Sequence, residues 1–167
     1  MIIRPPVSTD IATMLEIYTP IVLNTATSFE LEPPSLTTFE ERMNKYSHGW
    51  AWLVAEENGQ LLGYAYGSPH RERKAYQWST ETSVYVHESA RGRGIGKKLY
   101  EALLTALQEK GYCNAYAGIA MPNDASVALH RSVGFSDIGR FPRVGYKFDA
   151  WHDVAWFHKE LRSAPPL

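Results

Sequence analysis

Arg91-Gly92-Arg93-Gly94-Ile95-Gly96 is the stretch of the chain that says most about its fold. It follows Thr80 to Val86, a segment rich in β-branched and aromatic residues, and it opens the clearest amphipathic helix, Gly94 to Lys110. A helix N-terminus has unpaired N–H groups and a positive dipole end, and glycines let the backbone approach an anion closely. The turn is rich in arginine, and Lys97 and Lys98 add further positive charge. It is therefore predicted to bind a pyrophosphate.

Other interpretations of this turn fit less well or stay open. A Walker loop needs Ser or Thr where Lys98 stands. A dinucleotide fingerprint needs Gly-x-Gly-x-x-Gly close to the first strand, whereas here the pattern is Gly-x-Gly-x-Gly after at least three predicted strands. A tight glycine turn with solvated arginines and no ligand remains a third interpretation.

Outward from the turn, the sequence predicts an α+β fold. Asn58-Gly59 between two apolar runs predicts a hairpin, and Gly111 is placed to end the long helix. A first helix is predicted after Ser8-Thr9-Asp10, with Pro20 interrupting or bending it. The elements predict one domain over 1–162, with a mixed, mainly antiparallel, twisted sheet flanked by helices, and a flexible tail over 163–167. Further elements are predicted at 2–4, 36–46, 114–119, 123–133, 135–146 and 151–161.

Composition narrows the class of protein. The chain has 167 residues with 17 basic and 18 acidic side chains, and this balance argues against nucleic-acid or membrane binding. Cys113 is the only cysteine, so an intramolecular disulfide is excluded. The amino terminus lacks signal-peptide features and no run of 18 apolar residues occurs, so a cytoplasmic location is expected. The histidines show no metal-ligand spacing, and no metal is expected.

Two motifs give the chain a resemblance to a known family. Arg-x-x-Gly-x-Gly at 91–96 resembles the coenzyme A pyrophosphate loop of the GCN5-related N-acetyltransferases, the GNAT family. Asn123-x-x-Ser126-x-x-x-His130, followed by Gly134-Phe135, resembles the helix that flanks the pantetheine arm in that family. The resemblance covers nearly the whole chain and extends to the phosphinothricin and methionine sulfoximine N-acetyltransferases. The segments that carry this narrower resemblance are 71–78, 81–86, 122–126, 144–148 and 151–154.

The resemblance implies an enzyme that transfers acetyl from acetyl-coenzyme A directly to the amino group of a small amino-acid-like molecule, without an acyl-enzyme. It also implies a homodimer in which the late strands pack across a two-fold axis. The aromatic residues of these strands fit an interface or an ordinary core equally well. The cofactor contacts that the resemblance implies are Val84, Tyr85, Val86, Arg91, Gly92, Arg93, Gly94, Ile95, Gly96, Lys97, Asn123, Ser126 and His130.

Glu81 is the candidate general base. An α-amino group is largely protonated near neutral pH, so a base must remove a proton before nitrogen attacks the thioester. The resembling family has its catalytic carboxylate at this place, just before the pyrophosphate loop. By strand alternation Glu81, Ser83 and Tyr85 share one face, which fits either a site wall or solvent. Whether Glu81 would act directly or through water stays open.

His130 is the second catalytic candidate. It shares a polar helix face with Asn123 and Ser126, while Ala125 and Leu129 belong to the stripe predicted to face the core. Many relatives have a tyrosine here that protonates the departing thiolate. Histidine at this position leaves two roles open, a general acid or a cofactor contact. Tyr85 and Tyr146 are the alternative acids.

The acceptor site is expected to be cationic, because an amino acid brings a carboxylate. Arginine suits bidentate recognition of such a group, although basic residues in a loop are most often solvated. Two other functions stay open: acetylation of a protein, peptide or polyamine in a more open groove, and a non-catalytic coenzyme A sensor. The resemblance implies that the acceptor pocket is lined by Phe29, Arg71, Arg73, Tyr76, Glu81 and Ser83.

Overall fold

A computed structural model describes residues 1–167 as a seven-stranded sheet with four α-helices. Three short 3-10 turns lie at Ser8–Asp10, Lys74–Tyr76 and Glu88–Ala90. In chain order the elements are β1 (Ile2–Arg4), α1 (Ile11–Asn24), α2 (Leu36–Gly49), β2 (Trp52–Glu57), β3 (Gln60–Pro69), β4 (Ser79–Val86), α3 (Ile95–Glu109), β5 (Asn114–Ala120), α4 (Asp124–Ser132), β6 (Ser136–Lys147) and β7 (Ala150–Glu160).

The sheet is mixed and mainly antiparallel, as the sequence predicts. Its strand order is β1-β2-β3-β4-β5-β7-β6, and β4 with β5 is the one parallel pair. That pairing is short, because it joins Ser79 to Asn114 and ends where Glu81 lies opposite Tyr116. Beyond this point the two strands diverge, while β4 stays paired with β3 as far as Val86. The sheet therefore opens at its middle.

Helices cover both faces of the sheet. The long helix α3 buries Leu99, Leu103 and Leu107 completely in the larger apolar core, as its helical periodicity predicts. On the other face, α1 and α2 bury Met14 and Phe39 against the strands of the N-terminal half. Two cores on opposite faces fix the sheet, so the opening between β4 and β5 is held from both sides.

Local turn signals act as the sequence predicts, with one exception. Asn58 and Gly59 form the hairpin turn at φ 52° and 76°, and Gly111 ends α3 at φ 98°. Pro20 does not interrupt α1, because the helix runs through it to Asn24, so that half of the prediction is wrong and the bend stays a prediction. Residues 163–167 contain no helix or strand, and the domain boundary at 162 stays a prediction. None of the helices is both long and apolar enough to cross a membrane.

Candidate active site

The opening of the sheet forms a cleft with a volume of about 440 Å³. Its walls come from the diverging end of β4, the glycine turn, the first turns of α3 and α4, and the end of α1. The residues that line it are Ile21, Thr25, Thr27, Val84, Tyr85, Val86, Ala90, Arg91, Gly92, Gly94, Ile95, Gly96, Lys97, Asn123, Ala125, Ser126 and Leu129. Of the predicted cofactor contacts, only Arg93 and His130 lie outside this set.

The glycine turn presents its backbone to the cleft. Gly92 and Gly94 both have φ of 76°, a left-handed conformation that glycine adopts without strain, and Gly94 is the N-cap of α3. The positive end of this 15-residue helix therefore faces the cleft beside Lys97. Arg91 Nε donates to the carbonyl of Val86 at 3.3 Å and ties the turn to β4. The side chain of Arg93 pairs with Glu57 instead, away from the cleft.

The edge of β4 supplies polar backbone groups. Val84 to Val86 lie beyond the last pair with β5, so their groups on that side have no partner in the neighbouring strand. An extended chain with amide groups could form hydrogen bonds to this edge as a strand would. The backbone amides of a pantetheine arm have this character. The sequence could not predict the divergence, because it depends on the packing of distant segments against the sheet.

Helix α4 closes the cleft on the opposite side. Asn123 is its N-cap and accepts a hydrogen bond from the Ser126 N–H at 3.2 Å. Ala125 is exposed and lines the cleft, so its prediction as a core-facing residue is wrong. Leu129 packs against the larger core as predicted and also lines the cleft. The helix turns both its polar stripe and part of its apolar stripe toward the opening. A wall of this kind suits a ligand with alternating polar and apolar parts.

His130 is buried, with 4% exposure, beside a smaller cavity of about 70 Å³ at the floor of the opening. Its Nδ1 lies 2.7 Å from the Ser126 carbonyl, which can only accept, so Nδ1 carries a proton. Its Nε2 lies 2.7 Å from the Tyr100 hydroxyl, which in turn lies 2.7 Å from Thr82 Oγ1. Burial lowers the pKa of His130, which favours the neutral ring. In that state Nε2 accepts from Tyr100, and both ring nitrogens are occupied.

The two alternative acids lie in different surroundings. Tyr85 lines the cleft and packs against Tyr18 with ring centroids 5.1 Å apart, and burial raises its pKa well above the ordinary value. Tyr146 is 55% exposed on β6 and packs against Trp151. A tyrosine whose pKa is raised holds its proton more firmly. Of the two, only Tyr85 faces the cleft.

Glu81 lies at the last position where β4 pairs with β5, at the point where the sheet opens. Its carboxylate lies 3.0 Å from Nδ1 of His70 and keeps 33% of its side-chain surface exposed. Burial raises the pKa of Glu81, and the hydrogen bond from His70 and the charges of His70 and Arg71 oppose that rise. The group is therefore a half-buried carboxylate with a stronger affinity for protons than an ordinary glutamate.

His70 is a site residue that the sequence reasoning missed. It lies just beyond the end of β3 and stacks on Tyr116 with ring centroids 4.9 Å apart, and Tyr76 lies 5.6 Å away. The sequence shows only a histidine in a polar loop. The signal that could have found it is the hairpin register, because β3 ends opposite the start of β4 and brings the following residue close to Glu81.

The predicted acceptor residues lie in three places. Arg71 lies over the ring of Tyr76 at 6.0 Å, on the side of Glu81 and His70, and Arg73 is exposed in the same loop. Ser83 lines the smaller cavity. Phe29 packs instead against His152, with ring centroids 6.2 Å apart, and against the backbone of Gly145. No cluster of three or more His, Cys, Asp or Glu side chains is arranged to hold a metal ion.

Comparison with known proteins identifies the family of the chain. Residues 3–156 match the family described as "Acetyltransferase (GNAT) domain". The chain belongs to the GNAT acetyltransferase family. It is an acetyltransferase that uses acetyl-coenzyme A as its cosubstrate.

Two relatives and one solved structure show which members of the family this chain resembles. Phosphinothricin N-acetyltransferase of Streptomyces coelicolor is 41% identical over 95% of this chain and 95% of its own length. L-methionine sulfoximine/L-methionine sulfone acetyltransferase of Salmonella typhimurium is 34% identical over 96% of this chain and 95% of its own. The phosphinothricin acetyltransferase of Sinorhizobium meliloti in complex with acetyl-coenzyme A is 33% identical, with a TM-score of 0.94, over 99% of this chain and 92% of its own.

Proposed function

We propose that the protein acetylates the amino group of a small amino-acid-like molecule, with Glu81 as the general base. The observation that carries the proposal is the half-buried Glu81 carboxylate at the point where the sheet opens. The names of the Streptomyces coelicolor and Salmonella typhimurium relatives, which refer to phosphinothricin and to methionine sulfoximine or sulfone, support an acceptor of this class.

The cofactor would lie across the cleft with its pyrophosphate at the glycine turn and its thioester near Glu81. Its pyrophosphate would rest on the backbone of Gly92 to Gly96, with Arg91 and Lys97 beside it. The pantetheine amides would pair with the free edge at Val84 to Val86, between β4 and α4. The thioester would then reach the floor of the opening, near Glu81 and the smaller cavity.

The reaction needs two proton transfers and no covalent enzyme intermediate. Glu81 takes a proton from the ammonium of the acceptor, and its raised pKa makes it a better base than an ordinary carboxylate. The free nitrogen attacks the thioester carbon, and a C–N bond forms. As the tetrahedral intermediate collapses, the C–S bond breaks. The second proton that the nitrogen loses is taken up by the departing sulfur, so the products are a neutral amide, a thiol and the proton held by Glu81.

His130 is proposed as a residue that shapes the floor of the site and not as the direct proton donor. Its Nδ1 proton is held by the Ser126 carbonyl, and its Nε2 faces the Tyr100 hydroxyl. A proton leaving Nδ1 would have to break the 2.7 Å hydrogen bond to the Ser126 carbonyl inside a buried environment. The proposed cofactor contacts on this helix are therefore Asn123 and Ser126, which line the cleft.

The acceptor's acidic group is proposed to meet Arg71 and Arg73. Both guanidinium groups lie in the loop that leads into β4, and Arg71 acts electrostatically on Glu81. An acceptor with an anionic group and an ammonium a few ångströms apart could bridge this loop and the base. Tyr76 supplies an aromatic wall at the same place.

A homodimer is proposed through the hairpin of β6 and β7. Strand β6 is an edge strand, and an unprotected apolar edge normally seeks a partner. The occupant would be a second copy of this chain, because an isologous contact pairs one apolar hairpin with another. The large apolar side chains that the hairpin exposes are Ile138, Phe141, Val144, Tyr146, Phe148 and Trp151, each 46–55% accessible.

The proposed base is tested by the pH dependence of turnover in Glu81→Gln. Loss of a general base should lower kcat by about 10²- to 10⁴-fold and remove the acid limb that reports Glu81 ionisation. Glu160→Gln, at the exposed end of β7, is the control and should keep the wild-type profile. A Glu81→Gln variant with wild-type kcat and an unchanged acid limb would rule out Glu81 as the base.

A further inference from the structure

Lys147 is a buried cation that the proposed chemistry does not use. It is the last residue of β6 and is only 4% exposed. Its Nζ donates to the carbonyls of Val22 and Ser28, both at 2.7 Å. Burial lowers its pKa, and the charge of Glu30 opposes that effect. The two hydrogen bonds hold the Lys147 side chain in one position, and they also hold the backbones of Val22 and Ser28 close to each other.

The two carbonyls belong to two different parts of the chain. Val22 lies in the last turn of α1, where helix carbonyls lack intrahelical partners and the dipole is negative. Ser28 lies in the segment 25–35, which joins α1 to α2 without regular structure. A cation that binds both fastens this segment to the end of the helix.

Ser28 is held from a second side and determines where its neighbours lie. Its hydroxyl is 2.7 Å from the hydroxyl of Tyr18, and both groups are buried. Thr27 on one side lines both the cleft and the smaller cavity. Phe29 on the other side is an acceptor contact that the resemblance implies, and it packs against His152. The position of Ser28 therefore determines where Thr27 meets the two cavities and where Phe29 lies.

The same lysine connects this segment to the exposed hairpin. It stands between Tyr146 and Phe148, each 55% exposed. His152 Nε2 donates to the Lys147 carbonyl at 2.9 Å, and the His152 ring lies beside Phe29. The segment 25–35 is thus attached directly to the side chain of Lys147 and, through the His152 ring, to its backbone.

We infer that Lys147 is a positioning residue of the acceptor site, which holds the segment 25–35 in the conformation that receives the acceptor. The inference rests on the proposed function, because it concerns the acceptor of that reaction. The proposed pyrophosphate contacts of Arg91 to Gly96 belong to another segment of the chain, with no contact to the amine of Lys147. The segment 25–35 borders the cofactor cleft only through Thr25 and Thr27. Loss of the lysine should therefore affect the acceptor far more than the cofactor.

The test is Lys147→Met, which keeps an unbranched side chain and removes the donors. With phosphinothricin as acceptor, KM should rise at least tenfold, whereas the Kd for acetyl-coenzyme A, measured by calorimetry, should stay within threefold. Amides of the segment 25–35 should exchange hydrogen faster in the free variant. Lys110→Met is the matched control, because Lys110 Nζ contacts two carbonyls at the end of α2, those of Ser47 at 3.4 Å and His48 at 3.3 Å, far from the acceptor segment.

Two results would overturn the inference: an acceptor KM within twofold of wild type, or equal losses for acceptor and cofactor, which would indicate general loosening. If Lys147→Met does not fold, Tyr18→Phe decides, because it removes the other hold on Ser28. A KM increase of at least threefold would support the inference, and an unchanged KM would refute it. A wild-type enzyme that acetylates no amino-acid analogue would refute the proposed function instead, and hydrogen exchange would still report whether Lys147 holds the segment.

Discussion

Gly94→Ala tests whether the glycine turn holds the cofactor. Gly94 has φ of 76°, and a Cβ added there would meet no atom within 4 Å. The substitution therefore introduces no clash, only the conformational cost of an L-residue in the left-handed region, about 1–2 kcal/mol. Gly59 in the β2–β3 hairpin has the same φ and the same open surroundings. It provides a control with the same backbone conformation in a hairpin that does not line the cleft.

The cost must appear in one of two measured quantities. If the turn keeps its conformation without ligand, the free energy of unfolding falls by about 1–2 kcal/mol and the Kd for acetyl-coenzyme A is unchanged. If the turn instead leaves the left-handed conformation in the free protein, the free energy of unfolding stays near the wild-type value. Binding of acetyl-coenzyme A must then restore that conformation. The Kd then rises by roughly 5- to 30-fold, since about 1.4 kcal/mol corresponds to a factor of ten. The sum of the two losses should equal about 1–2 kcal/mol in either case.

Urea unfolding and titration calorimetry measure the two quantities on the same samples. Gly59→Ala should lose a similar free energy of unfolding and bind acetyl-coenzyme A as the wild type does. A Gly94→Ala variant with wild-type stability and wild-type Kd would refute the conformational argument. Equal weakening of acetyl-coenzyme A binding in both variants would refute the assignment of the turn to the cofactor.

Three further predictions concern other parts of the molecule. His70→Asn should move the acid limb of kcat/KM to higher pH, because His70 lowers the pKa of Glu81; a shift to lower pH would contradict this. His130 has a lowered pKa when folded, so the unfolded state takes up its proton first, and the free energy of unfolding should fall as pH drops below about 6.5. His130→Gln should flatten that dependence in urea titrations at pH 5–7.5, and an unchanged slope would count against it. Tyr146→Asp with Trp151→Asp should shift sedimentation from dimer to monomer, whereas a monomeric wild type would refute the interface.

Much of the fold follows from local signals in the sequence. Asn58-Gly59 requires left-handed backbone at two adjacent positions, and this chemistry alone fixes the hairpin. Gly111 ends α3 for the same reason, and the spacing of Leu99, Leu103 and Leu107 gives the buried face of that helix. The glycine turn belongs to the same group, since its position between strand and helix is visible in the residue pattern.

The parts that could not be predicted depend on contacts between distant segments. The β4–β5 divergence beyond Glu81 depends on packing against both faces of the sheet, and no residue pattern within β4 predicts it. Burial of His130 depends on Tyr100, which comes from another helix. Pro20 removes only its own N–H from α1, and the buried apolar face of that helix outweighs this loss, so the helix continues. The contact between His70 and Glu81 likewise arises only when two strands pair.

The central claim, acetylation of a small amino-acid-like acceptor, is tested most directly by thiol release from acetyl-coenzyme A with a panel of acceptors. The panel contains phosphinothricin, methionine sulfoximine, methionine sulfone, ordinary amino acids, polyamines and short peptides. The account predicts turnover with the phosphinic, sulfoximine or sulfone amino acids and much weaker turnover with the rest. Turnover confined to peptides or polyamines, or tight acetyl-coenzyme A binding with no turnover of any acceptor, would contradict it.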